Sequence, residues 1–373
     1  MDIYAELGVR KIINASATLT MLGGSRMPPE VLAAMNAAAA HFVDMDELQA
    51  KVGAQLAALT HNEAAYVSCG AAAGLVLATA ACIAGTDAEK RARLPDSAGM
   101  NNEILVHRRG LVGYSFAIRQ AGGKLVEFGG EEGANAADLE AAITPRTAGI
   151  FAFSKHLQME GLVPLAEQAE IAHRHNIPLV VDAAAQIPPA ANLWNYTGSG
   201  GAGADLAIFS GGKGLRGPQS SGLIVGRRGL IDACAFHACP RAYIGRPMKT
   251  GKEEIAGLLA AVRWTLAQDE TALLQRYEAQ VAFVIAEMDG LTGVRARRSF
   301  PSEAGQPMAR AEIIFDADVL GVSRDEIQRR LMAGSPGVAL AAGGQNSLLF
   351  NPQTLEPGEE QIVVARLLAV ITR

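Results

Sequence analysis

Between residues 64 and 226 short apolar runs alternate with longer mixed stretches. The runs at 64–68, 103–107, 124–129, 148–154, 177–183, 205–210 and 221–226 read as strands. The stretches at 71–83, 113–121, 136–143 and 164–175 read as helices. Such alternation builds βαβ units, so the fold class is α/β with a mostly parallel sheet covered on both faces. The pattern changes after residue 250. Residues 251–288 read as one long amphipathic helix, with Leu258, Leu259, Val262 and Trp264 among its apolar positions. Strands are expected near 292–298 and 309–315, then a helix opened by the capping box Ser323-Arg-Asp-Glu326. Strands near 337–341 and 346–350 precede a last helix over 357–371. Pro28-Pro29 opens the first substantial helix, where proline is well tolerated. The division expected is a segment 1–20 packing on the small domain or a partner subunit, a large domain 21–250, and a long helix with a smaller α+β domain over 251–373.

The 373 residues suffice for two domains and a large core. A net charge of −5 leaves no global basic footprint, and no nucleic-acid partner is expected. No apolar run reaches membrane-spanning length, and Met1-Asp-Ile-Tyr-Ala-Glu6 lacks the basic and apolar regions of a signal peptide, so a cytoplasmic protein is expected. The four cysteines form no CxxC pair and are too few for a disulfide framework. Cys234, His237 and Cys239 supply three ligands where a closed structural zinc site takes four, and no metal is expected.

Two residues carry the chemistry. The strand at 177–182 ends on Asp182, and the strand at 205–210 runs into Ser210-Gly-Gly-Lys213, thirty-one residues further on. Alone, Lys213 reads as a solvated loop lysine. With a strand-end carboxylate before it, it suits pyridoxal phosphate: a lysine amine forms a Schiff base with the cofactor aldehyde, and an aspartate keeps the pyridine nitrogen protonated. Upstream, Ser68-Cys69-Gly70-Ala71-Ala72-Ala73-Gly74 joins a strand to a helix. Small residues and the free N–H groups of a helix start make an anion cradle. It carries neither a Walker lysine nor a Gly-x-Gly-x-x-Gly, and an alanine run is otherwise read as close helix packing.

After Lys213 comes a glycine- and proline-punctuated loop, 214–222, either a plain turn or an active-site wall. Arg241, Arg246, Lys249 and Lys252 form a basic cluster, a solvated face unless one or two of them, Lys249 among them, bind an anionic substrate. Arg310, on an expected strand of the small domain, is either a carboxylate clamp or half of a structural ion pair.

Together these stretches resemble the fold-type I pyridoxal phosphate enzymes, and more narrowly the bacterial selenocysteine synthase-like group that includes D-glucosaminate-6-phosphate ammonia-lyase. The likeness runs through Leu22-Gly-Gly-Ser25, Phe42-Val-Asp-Met-Asp-Glu-Leu48, Ser68–Ala73, Val181-Asp-Ala-Ala184 and, most strongly, Ser210-Gly-Gly-Lys-Gly214 with Gly217-Pro-Gln219. The resemblance implies that Lys213 bonds the cofactor and Asp182 pairs with its ring nitrogen. It implies that Gly70, Ala71, Ala72 and Ser210 hold the phosphate, that Gln219 lies near it, and that Ala184 packs beneath the ring. It also implies a homodimer or higher homo-oligomer with sites between subunits. One position departs from the group. Counting back from Tyr114-Ser-Phe-Ala-Ile118, Gly110 stands where relatives place a ring-stacking histidine, so either His107 or Arg108 covers the ring or stacking is absent.

The activity expected is α,β-elimination of a hydroxy amino acid, sugar-derived and phosphorylated in the manner of D-glucosaminate 6-phosphate, to a 2-keto acid and ammonia. A racemase or aminotransferase would use the same carbanion. A non-catalytic cofactor-binding or regulatory protein is the alternative of another class.

Overall fold

The computed structural model describes residues 2–153, 161–198 and 200–372. Among them run twelve strands: β1 (Ile12–Ala15), β2 (Ala64–Ser68), β3 (Glu103–His107), β4 (Lys124–Phe128), β5 (Thr147–Phe153), β6 (Leu179–Asp182), β7 (Leu206–Ser210), β8 (Gly222–Gly226), β9 (Val294–Ser299), β10 (Arg310–Phe315), β11 (Gly337–Ala342) and β12 (Ser347–Phe350). The chain divides into two compact units, one of residues 27–267 and one of residues 1–26 with 268–373.

The larger unit holds a seven-stranded sheet in the order β2-β8-β7-β6-β5-β3-β4. Only β8 runs against its neighbours there, pairing antiparallel with β2 and β7. Every residue of β2, β3, β5 and β8 is buried, as a sheet covered on both faces requires. Neighbouring residues supply opposite faces. Ile150, Val181 and Phe209 join one core with Leu56, Leu139 and Leu258, while Phe151, Val180 and Ile208 join the other with Leu75 and Leu77. Truncating Phe151 or Phe209, both fully buried, would cost about 3–5 kcal/mol.

In the smaller unit the order is β1-β11-β12-β10-β9, with β1 parallel to β11 and the rest antiparallel. The N-terminal segment thus enters as a strand, Ile12 to Ala15 in register with Gly337 to Leu340. Ile313, Phe315, Phe350 and Leu367 centre its core.

Three expectations need adjustment. The helix expected over 251–288 is two, Lys252–Leu266 and Glu270–Met288, because Asp269 caps the second by accepting the Ala272 N–H at 3.0 Å. The first buries Ile255, Leu258 and Val262 in the larger unit's core, which moves the boundary from residue 250 to residue 267. The Ser323 hydroxyl accepts the Glu326 N–H at 3.3 Å, but the Glu326 carboxylate binds Arg329 and Arg330 rather than completing a capping box. The strand expected over 148–154 is β5; Ser154 lies outside the described residues.

Candidate functional site

Strand register gathers the motif residues at one edge of the larger sheet. Gly222, first in β8, pairs with Ser68 at the end of β2 and with Ser210 at the end of β7. Asp182, at the end of β6, pairs with Ile208, two residues before Ser210. The carboxyl ends of the parallel strands lie on this edge, where open α/β sheets take their ligands.

Asp182 is half-buried, and its Oδ1 accepts the Ala184 N–H at 3.0 Å. Burial pushes its carboxyl above the usual range, opposed by the Ala184 hydrogen bond and the charge of Lys213. The backbone of 183–184 is tied to β7: Ala183 N–H donates to Ile208 O at 2.9 Å, and Ser210 N–H to Ala184 O at 3.3 Å. Lys213 follows in a tight turn, its N–H donating to Ser210 O at 3.4 Å and its carbonyl accepting the Arg216 N–H at 3.0 Å. Gly214 must lack a side chain, because a Cβ there would lie 2.0 Å from Ile187 O.

The cradle is built from backbone. Helix Ala71–Ala84 has Gly70 as its N-cap with no side-chain hydrogen bond, and its first turn closes with Gly74 N–H to Gly70 O at 2.9 Å. The N–H groups of Ala71 and Ala72 precede that bond, and first-turn N–H groups of this kind are what a helix start offers an anion. The Ser68 hydroxyl reaches Gly70 O at 3.0 Å and Gly222 O at 3.2 Å. A Cβ on Gly222 would sit 2.5 Å from the Gly70 carbonyl carbon and 2.8 Å from Ala71 N, so the strand crossing beneath the cradle has to be bare. Gln219 is exposed in the same turn, its Oε1 2.5 Å from where a Cβ on Gly212 would be. The residues present fit the pyridoxal phosphate expected from the sequence. They offer an amine, a carboxylate raised by burial that would gain a cationic ring nitrogen as partner, and an amide cradle cleared for a phosphate.

The two residues expected to cover the ring each hold local partners. His107 is buried at the end of β3; its Nδ1 accepts the Arg109 N–H at 3.1 Å, and its ring meets Phe128 edge-on with centroids 5.3 Å apart. Arg108 pairs with Glu127 at 3.3 Å, and Gly110 is buried in the turn that follows. The aromatic beside the amine is Tyr114, its ring centroid 5.9 Å from Lys213 Nζ. The sequence reading missed it as a site residue. Its signal was its place in the loop after β3, at the carboxyl edge of the sheet.

The two anion-binding candidates fall in different units. Lys249 is exposed in the segment before helix Lys252–Leu266. Arg310, in the smaller unit, pairs with Glu303 at 3.0 Å and reaches Ser299 Oγ and Pro301 O at 3.4 Å. His237 is buried with Nε2 2.9 Å from Gly85 O. No helix among the described residues is long and apolar enough to cross a membrane.

Known proteins match this chain over most of its length. The family model described as SelA, L-seryl-tRNA selenium transferase, matches residues 12–276. The D-glucosaminate-6-phosphate ammonia lyase of Salmonella typhimurium (strain 14028s / SGSC 2262) is 34% identical over 375 residues, spanning 98% of this chain and 97% of the relative. A 5'-C-glycyluridine monooxygenase-decarboxylase of Streptomyces sp is 35% identical over 374 residues, spanning 98% and 90%. The solved structure of a D-glucosaminate-6-phosphate ammonia-lyase matches with a TM-score of 0.85 at 32% identity, covering 100% of this chain and 98% of the other.

Proposed function

The chain belongs to the SelA family and has the fold-type I architecture, and we propose from that premise that it is a pyridoxal-phosphate-dependent lyase. Its reaction is α,β-elimination of a hydroxy amino acid to a 2-keto acid and ammonia, with a phosphorylated sugar acid such as D-glucosaminate 6-phosphate as substrate. The observation that carries the cofactor assignment is the register that sets Asp182, Ser210, Gly222 and Ser68 along one sheet edge, with Lys213 in the turn after Ser210. The reaction and substrate class are supported by the likeness to the ammonia lyase over the full chain.

When bound, pyridoxal 5'-phosphate supplies the electron sink that makes an amino acid's α-proton acidic. Lys213 would hold the cofactor, and its neutral amine would take that proton. Asp182 keeps the ring nitrogen protonated. The amides of Gly70, Ala71 and Ala72 would hold the phosphate together with Ser210 and Gln219, and Ala184 would pack against the ring. Lys249 is the candidate in this unit for an anionic end of the substrate. The working form is a homodimer or higher homo-oligomer.

The cofactor-loaded protein incubated with D-glucosaminate 6-phosphate should release ammonia and a 2-keto acid in equal amounts. Inverted configuration without ammonia would make it a racemase, and dependence on an added keto acid an aminotransferase. The likeness to the monooxygenase-decarboxylase supports a second reading, an oxygen-dependent decarboxylation. Oxygen uptake coupled to carbon dioxide release would favour it.

A further inference from the structure

We propose that Tyr114 is the acid of this elimination: its phenol O–H protonates the β-oxygen as that group leaves. The proposal rests on the lyase reading above. Hydroxide is a poor leaving group, so loss of a β-hydroxyl needs a proton donor besides the base at Cα. Lys213 is assigned to Cα and Asp182 to the ring nitrogen. Of the residues at the end of β3 and just after it, His107 has Nδ1 engaged by Arg109 N–H and its ring against Phe128, and Arg108 is turned to Glu127 and Glu131. Tyr114 is left, its ring centroid 5.9 Å from Lys213 Nζ.

Its setting suits a role toward a ligand better than one in packing. The residue is 57% exposed and belongs to neither core cluster of its unit. The turn that carries it is nevertheless pinned: both the N–H and the hydroxyl of Ser115 donate to Val112 O, at 2.9 and 2.7 Å. An exposed aromatic on a fixed turn is held in place without being buried.

The charges work in sequence. Lys213 Nζ uses its lone pair to take the α-proton and becomes an ammonium. The electrons of the broken Cα–H bond form the Cα–Cβ double bond, and the Cβ–O pair leaves with oxygen. The phenol proton passes to that oxygen, giving water. The ammonium formed beside the Tyr114 ring stabilises the phenolate at the moment it appears, since an opposite charge nearby favours the charged form. Exposure lets the phenolate recover a proton from solvent. The dehydrated product then adds water and loses ammonia.

The test compares the wild type with Tyr114→Phe, both loaded with cofactor and in deuterium oxide. With D-glucosaminate 6-phosphate, Tyr114→Phe should keep the cofactor's absorbance band and still place deuterium at Cα, while ammonia release falls about 10²–10⁴-fold. With β-chloroalanine, whose chloride leaves without a proton, Tyr114→Phe should form pyruvate within about threefold of the wild type. Equal loss on both substrates would make Tyr114 a structural residue and overturn the assignment. So would ammonia release near the wild-type rate. A wild type that eliminates chloride but ignores D-glucosaminate 6-phosphate defeats the substrate reading alone, and the acid role is then judged on a β-hydroxy amino acid it does dehydrate. A wild type that eliminates neither defeats the lyase reading and this inference with it.

Discussion

The Ala184 N–H donates to Asp182 Oδ1 at 3.0 Å, so the carboxylate ending β6 is oriented by the backbone just beyond it, while burial raises its pKa against the pull of Lys213. The two effects set function against stability in the cofactor-free protein. A carboxyl whose folded pKa is raised contributes stability that is complete below its unfolded value and is lost as pH rises through the folded one. Asp182→Asn removes that loss. Without cofactor it should melt roughly 1–3 °C above the wild type at pH 7 and show no such gain at pH 3.5. With cofactor, turnover should drop roughly 10²–10³-fold, because a fixed charge at the ring nitrogen is gone. Near-normal turnover by the variant would remove Asp182 from the mechanism.

Lys213→Ala tests the attachment. Wild-type protein with pyridoxal phosphate should be yellow, and borohydride should fix the cofactor to the peptide carrying Lys213, read by mass. The variant should show no fixed mass at that position and lose at least roughly 10³-fold in turnover. Mass fixed on another lysine in the wild type would move the site.

Much of this candidate site is legible in the sequence. β5, β6 and β7 are continuous apolar runs because both their faces are covered, and each stops where the chain leaves the sheet. Asp182 and Ser210 therefore stand out as the first polar residues after such runs. What the sequence did not carry was register. Ser68, Gly222 and Ser210 align only because β8 runs backwards between β2 and β7, and no spacing in the chain announces that.

The misread elements have local causes. Apolar periodicity continues across Ala267-Gln268-Asp269, so the pattern fuses two helices that Asp269 separates by capping. Tyr114 has a single signal in the sequence, its place in the loop after β3, and that gains meaning only with Lys213 beside it.

Gly222→Ala should weaken cofactor binding rather than unfold the protein. Its methyl group would lie 2.5 Å from the Gly70 carbonyl carbon and 2.7 Å from Ser68 Oγ, so the cradle has to open. Overpacking of this kind costs about 1–3 kcal/mol, which would raise the cofactor Kd roughly 5- to 150-fold if the cradle takes the strain. Gly229→Ala is the control, since a Cβ there meets nothing within 4 Å. Equal affinity for the two variants in a cofactor titration would separate the cradle from phosphate binding.

Phe42 gives the clearest handle on assembly. It lies between helices Pro29–Ala39 and Met45–Leu59 in the larger unit and is fully exposed, with Val43 and Leu32 also exposed nearby in sequence. Burying a phenylalanine is worth about 1.5–3 kcal/mol, and a two-fold interface counts each contact twice. If a second copy covers Phe42, Phe42→Asp removes roughly 3–6 kcal/mol of association and raises the dimer Kd by roughly 10²- to 10⁴-fold. Light scattering of the cofactor-loaded wild type at micromolar concentration should give at least twice the 39.0 kDa chain mass. The variant should dissociate on dilution while its far-ultraviolet circular dichroism stays unchanged. Activity per chain should fall with dissociation, because the proposed site is completed between subunits. A wild type that is monodisperse at 39.0 kDa and fully active at dilute assay concentration would rule that arrangement out.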